Sequence, residues 1–189
     1  MEFDLIVSNP PYVSAQDFAA LPPEYLASLT GRLNAPLFYV CGNHDIRYPD
    51  KPLEGCANLH SRLFTCNGLT FLGLEGSRWY NGGPHQYTER EMRRKIRHLR
   101  PRIWWKGGVD IVITHAPPRH IHDAEDRCHR GFKSFRWLLD KYSPHYFIHG
   151  HIHAIFTEPS QRVTLVNRTN VINTYGYYLF DFDDTRDAE

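Results

Sequence analysis

Three short apolar segments of the chain each run directly into a polar motif that contains histidine. "PLFYVC" is followed by GNHD (42–45), "VDIVIT" by HAPP (115–118), and "HYFI" by HGHIH (149–153). Short apolar runs of this kind predict buried parallel strands. Functional groups of α/β proteins collect at the carboxyl ends of such strands. We therefore expect the three motifs to meet at one edge of a sheet.

Helical patterns lie between these strands. Thr88 and Glu91 form a capping-box signature that opens a helix running to about Leu99, and Pro101 is predicted to end it. Apolar residues at helical spacing predict a second helix across 132–139, before the third histidine motif.

The remaining strand predictions complete an alternating pattern. They are Phe3–Ser8 and Leu69–Leu74, and after His153 the hairpin-like segments "AIFTE", "RVTLVN", "NVINT" and "YYLFDF". Strands and helices that alternate, followed by a run of β structure, predict a layered α/β sandwich. At 189 residues we expect a single domain.

Composition excludes several classes of protein. The 22 basic and 21 acidic residues nearly balance, which argues against a nucleic-acid or membrane-surface partner. The basic stretch Arg90–Arg102 is interpreted as the solvated face of the first helix. Four widely spaced cysteines without a CxxC pair indicate a reducing, cytoplasmic setting. No apolar run approaches the roughly 18 residues that span a bilayer.

The histidine motifs predict a metal site. Imidazole nitrogen and amide oxygen are good ligands for Zn, Mn or Fe. Asn43, His115 and His151 would supply three neutral ligands from three strand ends. Any one histidine alone is better interpreted as a surface or hydrogen-bonded group, because the chain has 12 of them. The combination of motifs in this order favours the metal site.

At these residues the chain resembles the calcineurin-like metallophosphoesterase family, across about Leu21 to Phe182. The resemblance implies a layered α/β/β/α sandwich with mixed sheets. It implies that Asn43, His115 and His151 hold one metal and that His153 belongs to the other. The reaction would be hydrolysis of a small phosphomonoester or phosphodiester with one or two divalent ions, Mn, Fe or Zn.

The resemblance also assigns substrate contacts. His44 would contact the phosphate and protonate the leaving group. Independently of the family, Arg78 follows the Glu75-Gly76 turn and could meet a substrate phosphate. Packing is the simpler interpretation of the neighbouring Trp79 and Tyr80.

Two motifs of the family have no counterpart in this chain. No Asp-x-His block precedes Leu21, and Ala19-Ala20 stands where Gly-Asp is expected. The fold is therefore expected to lack its first strand, and the dinuclear site to be incomplete. Two close cations without a bridging carboxylate repel each other, so we expect one cation and weak hydrolysis. Substitution by Asp17 is an alternative.

The opening stretch "FDLIVSNPPYVSAQDFAALPPE" resembles the NPPY segment of protein-glutamine N5-methyltransferases. In that family the asparagine of the motif, here Asn9, holds the substrate amide. No glycine-rich loop for a methyl donor precedes it. Residues 1–24 are interpreted as a graft or junction. Alternatively, Phe3–Ser8 is the phosphoesterase's own second strand and 9–20 an insertion. Two rival functions remain: a methyltransferase fragment and a metal-binding module without catalysis.

Overall fold

A computed structural model describes residues 6–9, 36–45 and 56–179 of the chain. The strands in these residues are β1 (Ile6–Asn9), β2 (Leu37–Tyr39), β3 (Cys56–Asn58), β4 (Arg62–Cys66), β5 (Leu69–Leu74), β6 (Ser77–Arg78), β7 (Gln86–Tyr87), β8 (Ile111–Thr114), β9 (Tyr146–His149), β10 (Val163–Val166), β11 (Thr169–Asn173) and β12 (Gly176–Leu179). The α-helices are α1 (Glu89–Trp105) and α2 (Lys133–Tyr142), and a short 3-10 helix spans Pro159–Arg162.

Six strands form one mixed sheet in the order β10-β11-β9-β8-β5-β4. Its four central strands are parallel neighbours, whereas β10 and β4 join antiparallel at the two edges. Because β5, β8 and β9 run in the same direction, their carboxyl ends lie at one edge of the sheet. This edge is where the sequence predicts the histidine motifs to meet.

One face of this sheet is covered by both helices. Alternate side chains of the central strands point to that face, and they pack with the buried stripes of α1 and α2 into the larger core. On α1 the stripe consists of Met92, Ile96, Leu99 and Ile103. Full burial of each such side chain contributes about 1.5–3 kcal/mol, so this stripe holds the helix on the sheet.

The opposite face of the sheet carries a second, smaller core. Phe71, Ile111 and Ile148 pack there with the buried Leu59, and Phe38 of β2 lies against them. β2 pairs in parallel with β3 in a separate two-stranded sheet. The result is a mixed α/β fold in which a six-stranded sheet lies between helices and a further β layer, as predicted.

The structure corrects two of the predicted boundaries. Pro101 does not end α1, which continues to Trp105 because Ile103 extends its buried stripe. "AIFTE" is not a strand: Ala154 bonds back to Ile152, and the side chain of Ile155 is 96% exposed. Apolar side chains favour a strand because they pack against neighbouring strands, and the exposed Ile155 has no such packing.

The amino-terminal strand pairs with the last strand of the described chain. β1 runs antiparallel to β12, with Ile6 opposite Leu179 and Asn9 opposite Gly176. The predicted strand Phe3–Ser8 thus overlaps the observed one. Residues 10–35, which include Asp17, Ala19 and Ala20, lie outside the described residues.

Within the described residues, no helix combines the length and the apolar character needed to cross a membrane.

Candidate metal centre

The three histidine motifs meet at the predicted edge of the sheet. The GNHD motif follows β2, His115 follows β8, and His151 lies two residues beyond β9. Nε2 of His115 lies 2.9 Å from Oδ1 of Asn43 and 3.0 Å from Nδ1 of His151. Three separate chain segments therefore each contribute one potential ligand atom, and two of these atoms lie within 3.0 Å of the third.

Both imidazole rings are neutral, and His151 has the tautomer that can bind a metal through Nδ1. Nε2 of His151 donates to the carbonyl oxygen of Cys128 at 2.7 Å, which leaves Nδ1 unprotonated and directed at His115. Burial lowers the pKa of His151 to about 4 and the pKa of His115 well below its usual value. Both rings are therefore neutral at neutral pH, as metal ligands must be.

This donor set fits a divalent cation. Two neutral rings and an amide oxygen bring more lone pairs together than the available protons can satisfy. With metal–ligand bonds of about 2.0–2.2 Å, ligands at right angles lie roughly 3 Å apart. The observed spacings of 2.9 and 3.0 Å match that value.

Gly42 makes room for one of these ligands. A Cβ at this position would lie 2.7 Å from Cε1 of His115, which real side chains do not tolerate. The ring of His115 therefore packs directly against backbone. The backbone N–H of Gly150 donates to the carbonyl of His115 at 3.0 Å, which ties the end of β8 to the third motif.

Tyr80 orients the amide ligand, a role that the sequence analysis missed. Nδ2 of Asn43 donates to the hydroxyl of Tyr80 at 3.0 Å, so Oδ1 is turned to His115. The neighbouring Trp79 is 57% exposed, so the packing predicted for both aromatics is wrong for Trp79. Tyr80 lies 37 positions from Asn43, and no local pattern in the sequence connects the two.

Replacing Tyr80 with phenylalanine should weaken binding of a divalent cation about 10- to 100-fold, the usual effect of losing an outer hydrogen bond to a ligand. The amide of Asn43 would then be free to rotate. Calorimetric titration with Mn²⁺ measures the change, and Tyr142→Phe, on α2, is the matched control. Equal affinities in the two variants would exclude this role.

A series of hydrogen bonds stabilises the HGHIH motif (149–153). The hydroxyl of Thr164 lies 2.8 Å from Nε2 of His122, and Nδ1 of His122 lies 2.9 Å from Nε2 of His149. Nδ1 of His149 lies 3.0 Å from the carbonyl of Gly150. One neutral tautomer of each ring satisfies all three contacts, each donating in the direction of Gly150.

These buried histidine hydrogen bonds predict that the protein loses stability in mild acid. Burial lowers the pKa of His149 to about 3 and also lowers the pKa of His122. In the unfolded chain both rings take up a proton near pH 6.5. Their contribution to the free energy of unfolding is therefore complete above pH 6.5. It is lost as the pH falls from 6.5 to the pKa of the folded state, at about 1.4 kcal/mol per ring and pH unit.

Urea unfolding of chelator-treated protein between pH 7.5 and 5 measures this slope. It should become shallower in His122→Gln, which removes one titrating ring. An unfolding free energy that stays constant across this range would contradict the predicted coupling.

The other predicted site residues lie around this centre. His44 is exposed on a turn that Asp45 closes by accepting from the backbone N–H of Gly42 at 2.6 Å. The nearby imidazole of His44 adds to the effect of burial in lowering the pKa of His115 and of His151. His153 is exposed and stacks on Tyr175, with ring centroids 4.4 Å apart.

Arg78 lies on the chain segment that also carries Tyr80. It lies at the end of β6, half-buried, two residues before Tyr80. The structure brings Asn43, His115 and His151 together directly, and it places Arg78 on the segment that orients Asn43.

Hydrogen bonds order the acidic segment that follows Arg119. Arg119 donates to Asp123 at 2.6 Å and to Glu125 at 2.7 Å. Asp126 accepts from the backbone N–H of Cys128 at 3.0 Å. These bonds fold the segment so that the carbonyl of Cys128 reaches His151.

The chain is similar to known proteins in sequence and in fold. The model of the calcineurin-like phosphoesterase family matches residues 4–154. The chain is similar to the crystal structure of TT1561 of Thermus thermophilus, with a TM-score of 0.57 and 16% identity over 88% of this chain and 72% of that one. A second crystal structure gives a TM-score of 0.58 and 16% identity over 82% of this chain.

These likenesses differ in what they establish. At 16% identity the two structures show the fold alone, and this chain spans 62% of the length of the second. No curated protein matches the chain. The family match begins at residue 4 and so includes the opening stretch, and no comparison supports the methyltransferase resemblance. Because that match covers well over half of the sequence, the chain belongs to the calcineurin-like phosphoesterase family, a family of metal-dependent phosphoesterases.

Proposed function

We propose that the chain hydrolyses a small phosphate ester, a monoester or a diester, with a divalent cation held by Asn43, His115 and His151. The observation that carries this proposal is the convergence of their ligand atoms within 3.0 Å of Nε2 of His115. Family membership supports the same chemistry. A cation bound there supplies Lewis-acid activation of water and neutralises charge on the phosphoryl group.

The remaining residues act on the ester itself. His44, exposed beside the metal ligands, contacts the phosphate and donates a proton to the departing oxygen. Arg78 contacts a phosphoryl oxygen through its guanidinium group. His153 belongs to the position of a second cation.

The proposed activity is weak, and a single cation supports it. The described residues around His115 contribute neutral ligands to this centre, and no bridging aspartate was identified in the sequence. Two cations at close range without a carboxylate between them repel each other. We propose Mn, Fe or Zn as the cation, since all three accept imidazole and oxygen ligands.

The amino-terminal strand belongs to the same domain in this proposal, which spans residues 1–189. Its pairing with β12 and its inclusion in the family match support the interpretation that this strand is part of the phosphoesterase fold rather than a graft from another protein. We also propose a reducing, cytoplasmic setting, because all four cysteines are free.

Hydrolysis of bis(p-nitrophenyl) phosphate and p-nitrophenyl phosphate by Mn²⁺-loaded protein tests the proposal. Turnover should depend on the metal and should disappear with chelator. Metal uptake without turnover at any Mn²⁺ concentration would instead identify a binding module. Binding of S-adenosylmethionine would favour the methyltransferase alternative.

A further inference from the structure

A second cluster of ligand-type side chains lies apart from the centre around His115. It consists of Cys41, Glu75 and His85, which each offer one ligand atom, and these atoms all lie within 4.8 Å of one another. Cys41 follows β2, Glu75 follows β5, and His85 directly precedes β7. Chain segments far apart in sequence therefore build the cluster.

Backbone hydrogen bonds fix the three segments relative to one another. The N–H of Gly76 donates to the carbonyl of Cys41 at 2.8 Å, and the N–H of Ser77 donates to the carbonyl of His85 at 3.0 Å. Gly76 has φ +78°, and a Cβ there would lie 2.0 Å from the carbonyl oxygen of His85. Only glycine permits this close approach, so the backbone arrangement is built in advance of any ligand.

The electrostatics of the cluster favour a cation. The side chain of Glu75 is only 9% exposed, and within the described residues its ion-pair partners are His60 and His85, at 3.6 and 3.1 Å. No lysine or arginine of those residues pairs with it, so it has no partner with a permanent positive charge. The hydroxyl of Tyr87 also donates to Oε1 of this carboxylate. These contacts supply hydrogen bonds but no permanent positive charge, which a bound metal ion would supply.

Nδ1 of His85 is the ring atom that faces Glu75, and the other ring nitrogen is a further potential ligand atom. Its side chain is 13% exposed, and among the described residues its Nε2 is fully buried without a hydrogen-bond partner. Buried polar atoms of this kind are rare, and a bound ion is one of the features that accounts for them.

We propose that Cys41, Glu75 and His85 form a second metal site, specific for a thiophilic divalent cation such as Zn²⁺. Sulfur, imidazole nitrogen and carboxylate oxygen together are a zinc donor set, and three protein ligands leave a fourth position for water or another group. A thiolate ligand favours Zn²⁺ over Mn²⁺, because manganese prefers oxygen ligands.

Cobalt titration of the full-length protein tests this site, because a thiolate bound to Co²⁺ gives a strong near-ultraviolet absorption band that histidine and amide ligands do not give. The wild-type protein should develop the band, and Cys41→Ser should lose it. His85→Ala should weaken Co²⁺ binding at least ~10-fold, since it removes one ligand of three. Far-ultraviolet circular dichroism confirms that each variant folds.

Three controls locate the band. Cys66→Ser should keep the band, because Cys66 lies at the end of β4 and belongs to neither cluster of ligand-type side chains in the described residues. Cys128→Ser should keep it too; its loss there would assign the thiolate to the more exposed cluster of Asp126, Cys128 and His129 and overturn the proposal.

His115→Ala should also keep the band while losing the Mn²⁺ site, so this test is independent of the proposed hydrolysis. Absence of the band in wild-type protein at saturating Co²⁺, or its persistence in Cys41→Ser, would likewise overturn the second site.

Discussion

Replacing His115 with alanine should lower the affinity for Mn²⁺ at least ~100-fold and abolish hydrolysis of phosphate esters, since ligand loss exceeds the effect of losing an outer hydrogen bond. Nε2 of His115 is the atom nearest to both other ligands, at 2.9 Å from Asn43 and 3.0 Å from His151. Without it only two of the three proposed ligands remain. Calorimetric titration and the nitrophenyl ester assay measure the two effects.

The control for this variant is His98→Ala, which removes an imidazole from the exposed face of α1. That protein should bind Mn²⁺ and turn over substrate like the wild type. If His115→Ala retained wild-type affinity while remaining folded, Asn43, His115 and His151 would not be the metal ligands.

Replacing His44 with alanine should lower turnover by roughly 10²–10⁴-fold for esters with a poor leaving group, because a positioned general acid contributes about that much. Phenyl phosphate is such an ester, since the departing oxygen needs a proton. p-Nitrophenolate leaves without one, so the loss on p-nitrophenyl phosphate should be far smaller. Mn²⁺ affinity should change little, because His44 is not one of the three proposed ligands.

The ratio of the two losses is the diagnostic result for His44. Equal losses on phenyl and p-nitrophenyl phosphate would mean that the imidazole binds the phosphate without transferring a proton. A parallel loss of Mn²⁺ affinity would mean instead that His44 supports the metal ligands. His98→Ala again controls for removal of an exposed imidazole.

Much of the architecture could be predicted because it follows from local patterns. The apolar runs before GNHD, His115 and GHIH formed β2, β8 and β9, and Thr88 with Glu91 formed the capping box of α1. β8 and β9 are parallel neighbours in one sheet, so the meeting of His115 and His151 also followed from sequence. β2, which leads to GNHD, lies in a separate two-stranded sheet, so the approach of Asn43 depends on how the two sheets pack.

The missed features all depend on contacts between residues distant in sequence. Tyr80 bonds to Asn43 across 37 positions, and Glu75 meets Cys41 and His85 only after the sheet has formed. Tertiary packing likewise overrode a local signal at Pro101, where the buried Ile103 extends α1.

The most direct test of the proposed centre is the manganese content of the purified chain, measured by elemental analysis after loading and removal of excess ion. We expect close to one Mn²⁺ per chain in the wild type and none in His115→Ala. No bound manganese in the wild type, or equal amounts in both proteins, would contradict a cation held by Asn43, His115 and His151.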